Sequence, residues 1–299
     1  VTSEATTPPV QTGEPVPGFP LKFTWRTDKW RDIFDEQIEL LKADVARARA
    51  DGRIVLYLSC PISSRGGGWS GTNVDIARHV ERSILKRWGE GFWVLNPAQY
   101  QLESKAGTGL IVGHAKRLGI DLDELLASGY PSGGDYLRMW TKVLVEDGAN
   151  NLGHNFDAFY FLGPTDVFSF FTENGSQSMT AGIQNYFARK MDCDIEFRKQ
   201  FAVPEIDFGA SARSGAQDHW TQLRFDFLRF YGLRASANFS LGSHDEWQIL
   251  RLINEGRRKE TTSPTMLDGD VGQQIAAFFD GNQVSMAATE ISISRGYSL

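Results

Sequence analysis

Apolar positions along the chain recur with two different periods. Between residues 28 and 50, Ile33, Ile38, Leu41, Val45 and Ala48 fall mostly three or four apart, which puts them on one helical face, and Asp51-Gly52 stops the pattern. The next run, "IVLYLS" at 54–59, is apolar without alternation, as in parallel strands covered on both faces. A helical period returns over 74–88, with Ile76, Val80, Ile84, Leu85 and Trp88 on one face and Thr72 or Asn73 as the expected cap. "GFWVLNP" at 91–97 reads as a second strand, "GGDYLRMWTKVLVED" at 133–147 as a helix starting near Asp135, and "DAFYFLG" at 157–163 as a third strand. "PTDVFSFFTENGS" at 164–176 reads as a loop, "MTAGIQNYFARKM" at 179–191 as a helix and "CDIEFRKQF" at 193–201 as a fourth strand.

Strand and helix therefore alternate over residues 53–201, with an insertion at 98–132 made of helical pieces broken by Gly113, Gly119 and Gly129. That order predicts an α/β protein with a doubly wound, mainly parallel sheet of the flavodoxin or Rossmann type. After Pro204 the pattern turns helical, at about 216–231, 243–258 and 270–281, with a last strand expected near 284–294. The expected organisation is a flexible arm at 1–20, an α/β domain at 21–203, and a mostly helical domain or oligomerisation extension at 204–299.

Composition narrows the function classes. A hydrophobic content of 41% and an aromatic content of 12% suffice for a sizeable core. A net charge of −6 argues against a general nucleic-acid binder, though not against a small anion held locally. No stretch approaches the roughly 18 apolar residues of a membrane span. The first twenty residues have neither the basic nor the apolar region of a secretory signal, and are expected not to be one. Cys60 and Cys193 lack metal-ligand spacing and read as buried free thiols, which fits a cytoplasmic setting without metal or cofactor.

In an open parallel sheet, the loops after the first three strands share one crevice. The first contains Arg65-Gly66-Gly67-Gly68, followed by Trp69 and a helix. It matches neither the Walker A nor the G-x-G-x-x-G pattern. Successive glycines still present backbone N–H groups to an anion, and arginine adds a fork of donors. Tyr100 lies on the second loop, and Phe168, Phe170 and Phe171 on the third, where a base could stack; at least two of these three phenylalanines are expected to be core.

"LYLSCPISSRGGG", "WVLNP", "GGDYLRMW", "DAFYFLGPTD" and "GSQSMTAGIQNYFARK" follow one another over residues 53–198 in the order seen in the nucleoside 2-deoxyribosyltransferase-like family, which this region resembles. The family includes N-hydrolases of nucleoside 5′-monophosphates. The resemblance implies a small nucleotide or nucleoside as substrate and cleavage of its N-glycosidic bond. It implies phosphate on the glycine loop and the third loop, the latter through Ser176 and Ser178. It also implies a homo-oligomer in which a neighbour completes the site; Leu223, Phe227, Leu228 and Phe230 offer an apolar face either for that contact or for packing against the protein's own sheet. Its catalytic glutamate falls here on Met179 or Thr180. Glu173 and Asp166 are the nearest acids on the same loop, and Asp135 or Asp147 the candidates for contact with the sugar. A family member that binds a nucleotide without turning it over is the alternative reading, and an enzyme cleaving the nicotinamide bond of NAD a further one.

Overall fold

The structure, a computed structural model, describes residues 9–63, 68–102, 108–201, 210–261 and 274–285. Among the described residues, ten α-helices and seven strands build an α/β fold around a mainly parallel five-stranded sheet.

The chain opens with a hairpin, β1 (Val10–Gly13) against β2 (Phe23–Arg26). Val16, Phe19, Leu21 and Trp25 are buried in the main core, so the expected mobile arm is instead packed from residue 10 onward; residues 1–8 lie outside the described part. Helix α1 (Lys29–Ala50) follows, its first turn capped by the Asp28 carboxylate, which accepts from the Trp30 N–H.

The sheet runs β4 (Phe92–Leu95), β3 (Ile54–Ser59), β5 (Ala158–Phe161), β6 (Ala276–Phe279), β7 (Asn282–Val284). All pairs are parallel except β6–β7. Alternate residues of each parallel strand feed two cores. Val55, Tyr57, Leu95, Phe159, Phe161 and Ala277 pack on the face covered by α1, α5 (Gly133–Val145) and α10 (Leu241–Thr261). Leu56, Leu58, Val94, Ala158 and Tyr160 pack on the opposite face. There they meet α2 (Ser70–Trp88) and the group α6 (Pro164–Thr172), α7 (Met179–Cys193), α8 (Ile195–Phe201) and α9 (Ala210–Leu233). This two-faced burial explains the unbroken apolar runs in the strands. Helices α3 (Thr108–Leu118) and α4 (Leu122–Ala127) form the expected insertion.

Several expected elements change type, each for a local reason. The 164–176 segment is largely the helix α6, because Pro164 takes its first position and Asp166 caps Gly163. Residues 195–201 form α8 and not a strand: Asp194 accepts from the N–H groups of Glu196 and Phe197, and Phe197 and Phe201 bury one turn apart. The fourth parallel strand is β6, from the segment expected to be helical at 270–281. The Asp280-Gly281 turn, both with positive φ, folds β7 back on it. Helix α2 starts at Ser70, ahead of its expected caps. Thr72 and Asn73 are buried inside it, and Asn73 donates to the Ile62 and Ser63 carbonyls. Cys60 is buried as expected, but Cys193 is exposed.

The described residues of the 204–299 segment do not stand apart. They supply β6, β7 and α10 to the sheet, and α9 to the second core. Phe227 and Phe230, expected on an oligomer face, are buried there, with Leu223 and Leu228 packed beside them. Among the described residues no helix is long and apolar enough to cross a membrane.

Close approach of α6 and α7 depends on Gly182, where a Cβ would overlap the Phe171 carbonyl. Gly182→Ala should destabilise the fold by about 1–3 kcal/mol, the usual cost of overpacking. Urea unfolding followed by circular dichroism measures it; an unchanged midpoint would show that the two helices separate freely.

A buried polar cluster at the switch point of the sheet

Parallel strands bring their carboxyl ends to one edge. The chain passes from β3 out to β4, then back across β3 to β5, so the winding reverses between β3 and β5. Crevices form at such a reversal, because the connecting loops leave in opposite directions.

A short connector places α10 there. The Ala237 N–H donates to the Leu162 carbonyl, one residue beyond β5, at 2.8 Å, and His244 Nε2 meets the Asn238 carbonyl at 2.9 Å. The first turns of α10 then bury five consecutive residues, 243–247, of which Ser243, His244, Asp245 and Glu246 are polar. A helix that hides polar residues on every side departs from amphipathic patterning, which makes this run unusual.

Strand β3 supplies the facing groups. The Tyr57 hydroxyl donates to Glu246 Oε1 at 2.6 Å. Ser59 Oγ lies against the same carboxylate and favours its charge, without closing a bond of ordinary geometry. Five buried polar atoms around this point have no hydrogen-bond partner among the described residues: Ser59 Oγ, Asn238 Oδ1, Ser243 Oγ, His244 Nδ1 and Glu246 Oε2. Buried polar atoms are nearly always paired, so five orphans on these short segments set this part of the fold apart, and Ser59 and Glu246 are the two that face each other.

Burial pushes the Glu246 carboxyl up to about 7; the Ser59 and Tyr57 hydroxyls oppose the rise and the Asp245 charge adds to it. Burial alone raises Asp245 to about 7. Burial first, and then the Glu246 charge, raises Tyr57 and the Cys60 thiol well above their usual ranges, so both stay neutral. A carboxyl near 7, with one oxygen held and the other bare, is suited to giving and taking a proton at neutral pH.

The residues expected to form the site are dispersed. Arg65, Gly66 and Gly67 lie outside the described residues. Gly68 is buried against the Phe230 ring, where a Cβ would collide at 2.5 Å. The half-buried Trp69 ring makes T-shaped contacts with Phe197 and Phe201, and the Trp69 backbone N–H donates to the Tyr231 hydroxyl at 2.9 Å. Tyr100 points to the α1 side, its hydroxyl donating to Asp44 Oδ2 at 2.8 Å. Phe170 and Phe171 pack in the second core and Phe168 is exposed.

Asp135 is a capping residue. It accepts from the Ser132 N–H and hydroxyl and from the Arg26 N–H, which ties the N-terminal hairpin to α5. Asp147 organises the loop before β5, accepting from the N–H groups of Ala149, Asn151 and Leu152 and lying 2.8 Å from His154 Nδ1. Asp166 accepts from the Gly163 N–H and the Tyr160 hydroxyl, and burial raises it to about 6. Ser178 caps α7 by accepting from Ala181 N–H. Glu173 and Ser176 come together, but in a different cleft, between α2, α6 and α7. The polar run at 243–246 was the missed signal: "SHDE" opening an apolar-faced helix reads as an ordinary helix start unless its burial is known.

No protein-family model matches this chain, nor does any curated protein or solved structure match it significantly. Among the described residues no group of three or more His, Cys, Asp or Glu could hold a metal ion.

Two measurements follow. Glu246 keeps its proton in the folded state while the unfolded chain loses it, so its contribution to stability is full below about pH 4.5 and is lost as pH rises toward 7. Glu246→Gln cannot ionise, and its melting temperature should rise relative to wild type across that window; a pH-independent difference would contradict the raised pKa. Asp135→Ala should cost about 1–2 kcal/mol through the lost cap in urea unfolding, with no change in ligand affinity.

Proposed function

We propose that the protein binds a nucleoside 5′-monophosphate at the carboxyl edge of its sheet and cleaves the N-glycosidic bond, with Glu246 as the acting carboxylate. The observation that carries this reading is the buried Glu246 carboxylate at the reversal between β3 and β5, held through Oε1 by Tyr57, beside Ser59, and with no partner for Oε2 among the described residues. By chain order the parallel strands run 2-1-3-4, the order of flavodoxin-like sheets, which supports a doubly wound fold with its ligand at this point. The resemblance of residues 53–198 to deoxyribosyltransferase-like proteins supports the substrate class.

The transition state of such a cleavage carries positive charge on the sugar and needs a proton for the departing base. With its carboxyl pushed up to about 7, Glu246 is protonated in about half of the molecules near pH 7 and can supply that proton to the base nitrogen as the C–N bond breaks. Water adds its oxygen to the anomeric carbon, and its released proton restores the carboxyl. The products are free base and a (deoxy)ribose 5-phosphate. Tyr57 keeps the carboxyl oriented throughout. The resemblance puts a glutamate acting at the anomeric carbon near Met179 or Thr180; this reading puts the acting carboxylate on α10 instead, as proton donor to the base.

A second reading, binding without turnover, is favoured by the absence of an acid at those two positions. Incubation with each common nucleoside 5′-monophosphate, followed by chromatography for free base, separates the two. The enzyme reading expects release of one base and a loss of about 10²-fold or more in Glu246→Gln, the scale of a general acid. Thermal stabilisation by a nucleotide with no base released would establish the binding reading instead.

A further inference from the structure

A second polar cleft, of about 470 Å³, opens on the outer face between α2, α6 and α7. Arg78 and Arg82 project into it from one face of α2, spaced four apart, and Arg189 from α7. Asn174, Ser176 and Asn185 add neutral donors and acceptors, and Phe170 and Tyr186 form an aromatic floor. Two acids also line the cleft: Asp75 is paired with a cation, whereas Glu173 meets only His79, an imidazole that burial holds toward its neutral form. Asp75 accepts from the Tyr186 hydroxyl at 2.8 Å and pairs with Lys190 at 2.9 Å. Glu173 Oε2 lies 3.2 Å from His79 Nδ1. None of the three arginines forms an ion pair with a carboxylate of the described residues; Arg189 rests over the Tyr186 ring at 5.6 Å. The three arginines share the cleft with one carboxylate, Glu173, that no cation pairs among the described residues, so the lining keeps an excess of positive charge that favours an anion.

We propose that this cleft binds an oligophosphate, the phosphate chain of a small phosphorylated metabolite, gripped between the Arg78–Arg82 pair and Arg189. Guanidinium forks match the paired oxygens of phosphate, and sites on two helices suit a ligand with more than one phosphoryl group. The volume lies within the range of small-molecule pockets and exceeds the needs of a single phosphate. The site is separate from the Glu246 cluster and does not depend on the catalytic reading.

Isothermal titration calorimetry with inorganic pyrophosphate tests it. Wild type should bind, at least tenfold more tightly than it binds orthophosphate. Arg82→Gln/Arg189→Gln should weaken pyrophosphate at least tenfold, and Arg82→Lys/Arg189→Lys by less, since charge remains and the fork is lost. Asn174→Asp, at an exposed position where folding is not at issue, should weaken it as well. Circular dichroism verifies that each variant is folded. Glu246→Gln should leave pyrophosphate affinity unchanged, so that failure of the catalytic reading and failure of this one stay distinguishable. Absence of binding in wild type, equal affinity for orthophosphate, or affinity unaltered in the arginine and Asn174 variants would each overturn the proposal.

Discussion

Strand β5 imposes the constraint on which the fold rests. Its four residues are all buried, it pairs with β3 on one side and β6 on the other, and its side chains alternate between two cores. A strand in that position has no solvent-facing side, so helices must cover both faces. Phe159 and Phe161 then require α1, α5 and α10 on one side, while Ala158 and Tyr160 require the α2 and α6–α9 group on the other. The reversal of winding beside β5 goes with that double coverage.

The same geometry accounts for the polar chemistry. Helix α10 must return over the sheet to deliver β6, and Asn254 ties its far end to Ile275 by two hydrogen bonds. Its near end is held by Ala237 at the tip of β5. With both ends fixed, the run 243–246 sits under the connector and against Tyr57 and Ser59. Charge placed there is desolvated, which is why two adjacent acids there carry pKa values near 7.

The parts of the fold legible in the sequence were those with long, clean periods. Helix α1, strands β3, β4 and β5, and helices α2, α5 and α7 fall where apolar spacing placed them. Segments decided by capping or pairing were misread. Residues 195–201 carry strand-like Ile and Phe, but one Asp194 side chain settles them as helix. Residues 276–279 look helical in isolation; parallel pairing with β5 overrides that, and Asp280-Gly281 was the available hairpin signal. For the candidate site, the sequence reading looked to loops at the carboxyl edge of the sheet and to other carboxylates than Glu246. Asp135 and Asp166 have their lone pairs occupied by backbone N–H groups and nearby hydroxyls, and Glu173 faces another cleft. Glu246 lies 187 positions beyond Ser59, and only the fold shows that they meet.

Strand β6 has a consequence for biosynthesis. It pairs with β5, yet the ribosome makes it about 115 residues later, since 276 follows 161 by that interval. At about 5–20 residues per second, the β5 edge waits on the order of 6–23 s for its partner. Throughout that interval an apolar strand with unpaired N–H and C=O groups is open to other chains. Aggregation during synthesis, rather than instability of the finished molecule, is therefore where this topology is most exposed, and any delay in elongation between β5 and β6 lengthens the exposure.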